Sequence, residues 1–305
     1  MLKGIIKYYY QRLYQKWHYD TFKTNMLLAK QLSAVNANKE NIQSLDDVAF
    51  QVFSQRGEDG VIDYICSKIA IPAKTFIEFG VEDYTESNTR LLLFNNWKGL
   101  VLDSSKRNIR FIKNDFIYWK YDITAQQCFI TTQNINAVIA AYTGDDTPGL
   151  LSIDIDGNDY WVWEAITCIN PLVVVCEYNA VFGNVHPVSI PYSENFQRQK
   201  AHYSCLYFGT SLPALCYLAE KKGYDFIGTT TAGVNAYFVR KDVSAPFIKY
   251  TAQTGYHDAA NRDSKDKKGR NNFLQTNQRL NEIKDMMVVD VTTGRKHQVK
   301  DLYQL

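Results

Sequence analysis

A chain of 305 residues is long enough to bury one large α/β core with a small appendage. Hydrophobic residues make up 46% of the chain and charged residues 22%, which is typical of a globular protein and excludes extended disorder. The net charge of +2 provides no general attraction to nucleic acid, so we expect no nucleic-acid partner.

The six cysteines form no CxxC pair, and most of them lie in apolar segments. This pattern predicts reduced thiols in a cytoplasmic protein rather than disulfides or a zinc site. No apolar run approaches the roughly 18 residues that a membrane span needs. The first residues also lack the continuous apolar segment of a secretory signal, so we predict a cytoplasmic location.

The first predicted element is an amphipathic helix over residues 1–19. Its apolar and aromatic side chains share one face, and basic side chains lie on both flanks of that face. Two interpretations stay open. The helix packs on its own domain or on a second copy in a homo-oligomer, or it attaches peripherally to the anionic inner face of a membrane. The apolar face consists of Leu2, Ile6, Tyr9, Tyr10, Leu13 and Trp17.

Short apolar runs alternate with helical segments through the middle of the chain. We therefore divide the chain into an N-terminal helical extension (1–50), a core domain (51–245) and a C-terminal extension (246–305). Continuous apolar runs between helices are typical of a parallel sheet that is covered on both faces. The predicted strands lie within residues 74–80, 98–105, 149–157 and 171–180.

Acidic and amide side chains follow these four apolar runs. In a parallel α/β sheet, ligands bind beyond the carboxyl ends of the strands. A single polar residue there is usually a turn residue or a helix cap. Six such residues at four strand ends instead indicate a ligand site. They are Glu78, Asp103, Asp154, Asp156, Glu177 and Asn179.

The first two strand ends favour a nucleoside without phosphates. Asp103 follows Glu78 by 103 − 78 = 25 residues, a spacing consistent with an acidic residue that binds ribose hydroxyls. The GxGxxG cradle of NAD and FAD proteins is missing around Gly80. Glu78-Phe79-Gly80 resembles the first cofactor motif of Rossmann-like methyltransferases. In those proteins a residue at the position of Asp122 commonly contacts adenine; the alternative is that Asp122 caps a helix that begins near Thr124.

Five segments together resemble FkbM-type methyltransferases and related proteins linked to bacterial surface glycans, over about residues 53–242. The resemblance implies a Rossmann-like, doubly wound, mostly parallel sheet, in which residues 211–240 form the last helix and a C-terminal antiparallel hairpin. It also implies that Gln55, Glu58 and Asp59 lie beside S-adenosylmethionine. The segments are FSQRGEDG, FIEFGVED, LLSIDIDGNDYWVW, VVVCEYNA and GYDFIGTTTAGVNAYFVR.

The acidic third and fourth strand ends have two interpretations. Their oxygens suit Mg²⁺, and the arrangement resembles that of metal-dependent catechol and macrocin O-methyltransferases. The alternative is that the polar residues after the third strand only shape a turn, and that Asp154, His186 or His202 acts as the base. The predicted magnesium ligands are Asp154, Asp156, Glu177 and Asn179.

These patterns and the resemblance predict a methyltransferase that transfers a methyl group from S-adenosylmethionine to a sugar hydroxyl. The acceptor is expected in a bacterial surface polysaccharide or its precursor. The long aromatic segment 182–208 is expected to act as a lid or acceptor loop, with Arg198 available to an anion. Two alternatives stay open. One is a metal-dependent enzyme that acts on a phosphorylated or nucleotide-linked sugar, and the other is a non-catalytic scaffold on membrane glycan enzymes.

Overall fold

The computed structural model describes residues 21–144, 146–260 and 263–305, so the helix predicted over residues 1–19 lies outside the described residues. Helix α1 covers residues 21–37 of the described part. The other helices are α2 (Glu58–Lys68), α3 (Arg90–Phe94), α4 (Lys106–Asn114), α5 (Phe116–Lys120), α6 (Ile135–Thr143), α7 (Asp159–Ala165), α8 (Arg198–Ala201), α9 (Leu212–Lys222), α10 (Asn277–Glu282) and α11 (Val299–Tyr303). The strands are β1 (Thr75–Phe79), β2 (Lys98–Asp103), β3 (Ile123–Gln127), β4 (Leu150–Ile153), β5 (Val173–Glu177), β6 (Val188–Ser189), β7 (Tyr224–Thr229), β8 (Asn235–Arg240), β9 (Met287–Asp290) and β10 (Lys296–Gln298).

The main sheet has seven strands in the order β3-β2-β1-β4-β5-β8-β7. The first five strands run parallel to one another, and β8 runs antiparallel to both of its neighbours. The strand order reverses at β1, where Ile77 pairs with Leu100 on one side and with Leu151 on the other. The predicted fold class is confirmed: the sheet is Rossmann-like, doubly wound and mostly parallel, with a C-terminal antiparallel hairpin.

Helices cover both faces of this sheet. In β1, Phe76 packs into the core cluster that includes side chains of α1 to α5, whereas Ile77 and Phe79 pack into the cluster formed with α6, α7 and α9. All three side chains are completely buried. A strand that is buried on both faces must be apolar at successive positions, which explains the continuous apolar runs in the sequence.

Local signals start and end the helices that follow the strands. The Ser105 hydroxyl accepts a hydrogen bond from the backbone N–H of Asn108, so α4 begins directly after β2. Ser211 caps α9 in the same way, and Gly223 ends that helix in the left-handed conformation. The carboxyl ends of the parallel strands therefore turn sharply into loops and helix N-termini at one edge of the sheet.

A second, three-stranded antiparallel sheet joins the C-terminal residues to the segment that follows β5. Strand β9 pairs with β6 and β10, and the Tyr303 hydroxyl donates a hydrogen bond to the carbonyl of Phe182 at 2.6 Å. The Trp161 indole donates to the carbonyl of Ile190 at 2.8 Å. Segment 182–208 is therefore fixed to the core and to the C-terminal residues. No helix in the described ranges is both long enough and apolar enough to cross a bilayer.

Candidate functional site

A cleft of about 470 Å³ opens at the carboxyl ends of β1, β2, β4 and β5, where the strand order reverses. Among the described residues, eight carboxylates line it and two cationic side chains do, Arg56 and Arg198, so its lining is strongly acidic. Such a lining favours a ligand that carries positive charge. The carboxylates are those of Glu58, Glu78, Glu82, Glu86, Asp103, Asp154, Asp156 and Glu177.

Glu78, near the end of β1, organises the loop on one side of the cleft. Its Oε1 accepts a hydrogen bond from the backbone N–H of Asn88 at 2.9 Å, and its Oε2 accepts from the N–H of Thr89 at 3.1 Å and from the Thr89 hydroxyl at 2.5 Å. The side chain is 4% exposed. Burial raises the pKa of Glu78 to about 7, although the hydrogen bonds from Thr89 and Asn88 act to lower it. Both oxygens are thus used to hold the loop.

Gly80 directly follows β1, at a position where any side chain would collide with the backbone directly after β4. Its φ is +73°, and a Cβ atom would lie 1.5 Å from the carbonyl oxygen of Asp154. The sequence interpretation assigned the need for glycine to the cofactor. In the structure the neighbouring backbone already excludes a side chain, although Gly80 also lines the cleft.

Asp103, at the end of β2, is the acidic residue that faces the cleft from the other side of β1. Its Oδ1 accepts hydrogen bonds from the N–H of Ser105 at 2.7 Å and from the Asn108 amide at 3.2 Å. Its Oδ2 accepts from the N–H of Glu82 at 2.9 Å. Burial raises the pKa of Asp103, although these three hydrogen bonds act to lower it. Because a carboxylate has about four acceptor sites, Asp103 keeps acceptor capacity for a ligand.

Three carboxylates meet at the ends of β4 and β5. One oxygen from each of Asp154, Asp156 and Glu177 lies within 4.8 Å of the others. Burial, followed by the charges of neighbouring carboxylates, raises the pKa of both Asp154 and Glu177 well above the usual range. The buried Oε2 of Glu177 has no hydrogen-bond partner among the described atoms. This oxygen-rich group can bind a proton or a hard cation.

Arg198, from segment 182–208, borders the acidic group of Asp154, Asp156 and Glu177 through its contact with Asp156. Its Nη1 lies 2.8 Å from Asp156, its Nη2 lies 2.9 Å from Asp263, and its Nε donates to the carbonyl of Cys205. The guanidinium also lies 3.7 Å from the ring centroid of Phe208. The predicted anion-binding arginine therefore has protein carboxylates as its partners, and it carries positive charge to the edge of the cleft.

Three residues ahead of the first core helix were predicted to lie beside the cofactor, and they do not all face the cleft. Gln55 and Glu58 line the cleft, and Glu58 accepts a hydrogen bond from the Asn235 amide at 3.1 Å. Asp59 does not line it. Its buried Oδ2 accepts from the backbone N–H groups of Val52, Phe53 and Ser54, and so it fixes the loop before α2.

Asn179, predicted as a metal ligand, lies behind the cleft and not in its lining. Its Oδ1 accepts a hydrogen bond from the N–H of Val181, and its amide nitrogen donates to the carbonyls of Leu206 and Phe208 at 2.9 Å. The prediction of Asn179 as a ligand is corrected, because this amide holds segment 182–208 against β5.

Asp122 lies at the opposite end of the sheet from the cleft. It directly precedes β3, is exposed, and has a carboxylate oxygen 3.7 Å from the Nζ of Lys98, the first residue of β2. Thr124 lies in β3 and not in a helix, so neither sequence interpretation of Asp122 fits the structure. Cys128, Phe129 and Ile130 follow the carboxyl end of β3 and line the cleft there.

The two histidines that were candidate bases also lie outside the cleft lining. The His186 ring packs edge-on against Tyr303, with centroids 4.8 Å apart. The Nδ1 of His202 lies 2.7 Å from the Ser204 hydroxyl, and burial lowers the pKa of this histidine. Of the three candidate bases, only Asp154 lines the cleft.

Several cleft residues gave no usable signal in the sequence, because most of them lie in loops and Asn235 is the first residue of β8. Asn88 donates to Ser152 at 3.0 Å, and Phe196 packs so closely on the turn after β4 that a Cβ at Gly157 would lie 2.3 Å from its ring. Asn158 donates to the carbonyl of Ser193 at 2.8 Å. Only their tertiary contacts bring them to the cleft. The cleft residues found in this way are Ser87, Asn88, Phe129, Ile130, Asn158 and Asn235, whereas Phe196 lies in segment 182–208, which the sequence predicts as a lid or acceptor loop.

No protein-family model matches the sequence, and no curated protein matches it significantly. Solved structures with a similar arrangement include the methyltransferase domain of bacterial CtHen1-C, which is 16% identical with a TM-score of 0.35 over 55% of this chain and 90% of that one. The N-terminal domain of EvdMO1 with SAH bound is 9% identical, with a TM-score of 0.35 over 55% and 73%. An O-methyltransferase family protein from Burkholderia thailandensis is 8% identical, with a TM-score of 0.36 over 77% and 58%. Values of this size carry no information about ligand or activity.

Proposed function

We propose that the protein is an S-adenosylmethionine-dependent methyltransferase. The observation that carries this proposal is the acidity of the cleft. Among the described residues, eight acidic side chains and two arginines line it, so an excess of negative charge remains even where the raised pKa values of Glu78, Asp154 and Glu177 keep protons on those three. S-adenosylmethionine carries a sulfonium and an ammonium group against one carboxylate, so its net charge suits this lining. NAD and nucleotide sugars carry a diphosphate, which the same carboxylates would repel. The charge of the cleft therefore disfavours the alternative of an enzyme that acts on a nucleotide-linked sugar.

The cofactor would extend across β1 and β2. Asp103 is the residue with acceptor capacity left for the ribose hydroxyls, since Ser105, Asn108 and Glu82 use only part of it. Phe129 lies beyond β3 and offers apolar surface to the adenine ring. Glu78 would act indirectly, because both of its oxygens bind the loop that borders the cleft.

The reaction would join an acceptor oxygen to the methyl carbon while the sulfur–carbon bond breaks. The proton of the acceptor hydroxyl needs a base, and the Asp154–Glu177 pair lies at the cleft with pKa values raised towards that role. A hydroxyl acceptor, and a sugar in particular, is supported by this acidic group and by the aromatic ring of Phe196 beside it. The link to bacterial surface polysaccharide rests on the family resemblance alone.

The donor set also fits a divalent cation. Asp154, Asp156 and Glu177 would hold Mg²⁺, and the buried, unpartnered Oε2 of Glu177 is an orphaned acceptor of the kind that a cation would satisfy. A bound Mg²⁺ would lower the pKa of the acceptor hydroxyl. Arg198 already contacts Asp156, so this carboxylate would be shared between the guanidinium and the cation.

Asp103→Ala is expected to weaken the binding of S-adenosylhomocysteine roughly 30-fold, because hydrogen bonds to a charged acceptor contribute about 2 kcal/mol. Isothermal titration calorimetry on the full chain measures this change. Asp122→Ala is the matched control, since it also replaces an aspartate by alanine but at the other end of the sheet. This variant should bind like the wild type. Equal losses in both variants, or no binding by the wild type at millimolar ligand, would reject the proposal.

A further inference from the structure

Helices α4 and α5 carry a one-sided basic surface. Residues 106–120 contain five lysines and arginines and a single carboxylate, that of Asp115. Four of the cations lie on α4 and are exposed. None of the ion pairs between described residues uses these four side chains. The four cations are Lys106, Arg107, Arg110 and Lys113.

The inner faces of the two helices explain why the cations point outward. Ile109 and Ile112 of α4 and Ile117 of α5 are buried in the core. Asp115 joins the helices, and its Oδ1 accepts a hydrogen bond from the N–H of Ile117, so this carboxylate caps α5. The outer face of α4 thus presents positive charge that no neighbouring described carboxylate pairs.

Two large aromatic side chains are exposed on the same two helices. Trp119 on α5 is 79% exposed, and Phe111 on α4 is 46% exposed. Trp119 has an apolar ring and one N–H donor, a combination that is enriched where proteins meet the headgroup region of a bilayer. Aromatic side chains next to unpaired cations are the usual composition of a surface that binds anionic lipid.

The course of the chain points to the same face. Phe22 near the start of α1 packs edge-on against Phe116 of α5, with ring centroids 5.3 Å apart. The described part of the chain therefore begins beside α5, directly after residues 1–20. Their sequence includes Lys3, Lys7 and Trp17. The sequence of residues 1–20 is itself rich in cationic and aromatic residues.

We propose that the α4–α5 face docks on an anionic membrane surface, with the four α4 cations at the lipid phosphates and Trp119 at the depth of the headgroups. The docking site differs from the helix predicted over residues 1–19, and it does not depend on the methyltransferase assignment. Helix α4 begins one residue after Ser105, which lines the cleft. Docking would therefore place the Ser105 edge of the cleft near the membrane, where an acceptor attached to a lipid could reach it.

Vesicle sedimentation of the full chain tests this proposal. The wild type should bind vesicles of phosphatidylcholine mixed with phosphatidylglycerol, and should not bind phosphatidylcholine alone. Each basic residue near an anionic surface contributes about 1 kcal/mol, so the triple variant K106A/R110A/K113A should bind roughly 100-fold more weakly. The control K284A/R295A/K296A removes three exposed charges from the other end of the chain and should bind like the wild type.

Trp119→Ala provides a second readout that does not depend on charge. Quenching of tryptophan fluorescence by brominated lipid in anionic vesicles should fall in this variant, because Trp119 is the exposed indole of this face. Equal binding by both triple variants, or no binding of the wild type to anionic vesicles, would overturn the proposal. Binding to single-stranded RNA that the α4 substitutions abolish, without vesicle binding, would likewise overturn it in favour of a nucleic-acid surface.

Discussion

Glu78→Ala is expected to lower the free energy of unfolding by about 4 kcal/mol, because each buried donor left without a partner costs about 1–3 kcal/mol. The substitution removes the acceptor of three hydrogen bonds from Asn88 and Thr89. It also leaves a cavity at a side chain that is 4% exposed. Urea denaturation followed by circular dichroism measures the loss. A loss below about 1 kcal/mol would show that this carboxylate does not hold the loop.

Glu78→Gln separates the hydrogen bonds from the charge. The folded pKa of Glu78 is raised from 4.5 to about 7, so the folded protein keeps a proton that the unfolded chain has released. By linkage, the stability that this group contributes is present below the unfolded pKa and is lost as the pH rises through about 7; the loss amounts to roughly 3 kcal/mol. Glu78→Gln should therefore lose less stability than the wild type between about pH 5 and pH 8. The same pH dependence in both proteins would contradict this assignment.

Glu177→Gln is expected to raise the free energy of unfolding by about 2 kcal/mol at pH 8 without a divalent cation, because it removes one of two neighbouring buried charges. The pKa values of Glu177 and Asp154 are both raised, so the pair contributes stability at low pH and loses it as the pH rises. Glutamine keeps the shape of the side chain and removes the repulsion. Thermal or urea unfolding at pH 8 measures the gain.

Mg²⁺ should make the wild type more stable than Glu177→Gln, because a ligand that binds the folded state raises its stability. The wild type should gain thermal stability with Mg²⁺, whereas Glu177→Gln should gain little. Glu86→Gln is the matched control, since Glu86 lines the same cleft but is exposed, and its stability should change by less than about 0.5 kcal/mol. A destabilised Glu177→Gln, or equal Mg²⁺ shifts in the wild type and Glu177→Gln, would refute the account of the acidic group.

The sequence predicted those parts of the fold that local patterns determine. The runs around Ile77, Leu100, Leu151 and Val174 are apolar at successive positions because both faces of the sheet are covered. Parallel strands then bring their carboxyl ends to one edge, so residues directly after those runs, such as Asp103, face a common cleft. This reasoning depends only on the position of a residue along a strand.

The errors arose where the pattern was weak or the contact was distant in sequence. Strand β3 lies at the edge of the sheet, and only two of its five residues, Ile123 and Ala125, are buried. It therefore gave no apolar run, and Asp122 was placed at the wrong end of the strand. The role of Asn179 depends on Leu206 and Phe208, which lie 27 and 29 residues away. No local pattern predicts such partners.

The most direct test of the central claim is calorimetric titration of the wild-type protein with S-adenosylmethionine, and separately with NAD and with a nucleotide sugar such as UDP-glucose. An acidic cleft that takes a cationic, phosphate-free nucleoside should bind S-adenosylmethionine with one site per chain and show no heat of binding with either diphosphate. Saturable binding of NAD or UDP-glucose without binding of S-adenosylmethionine would contradict the account.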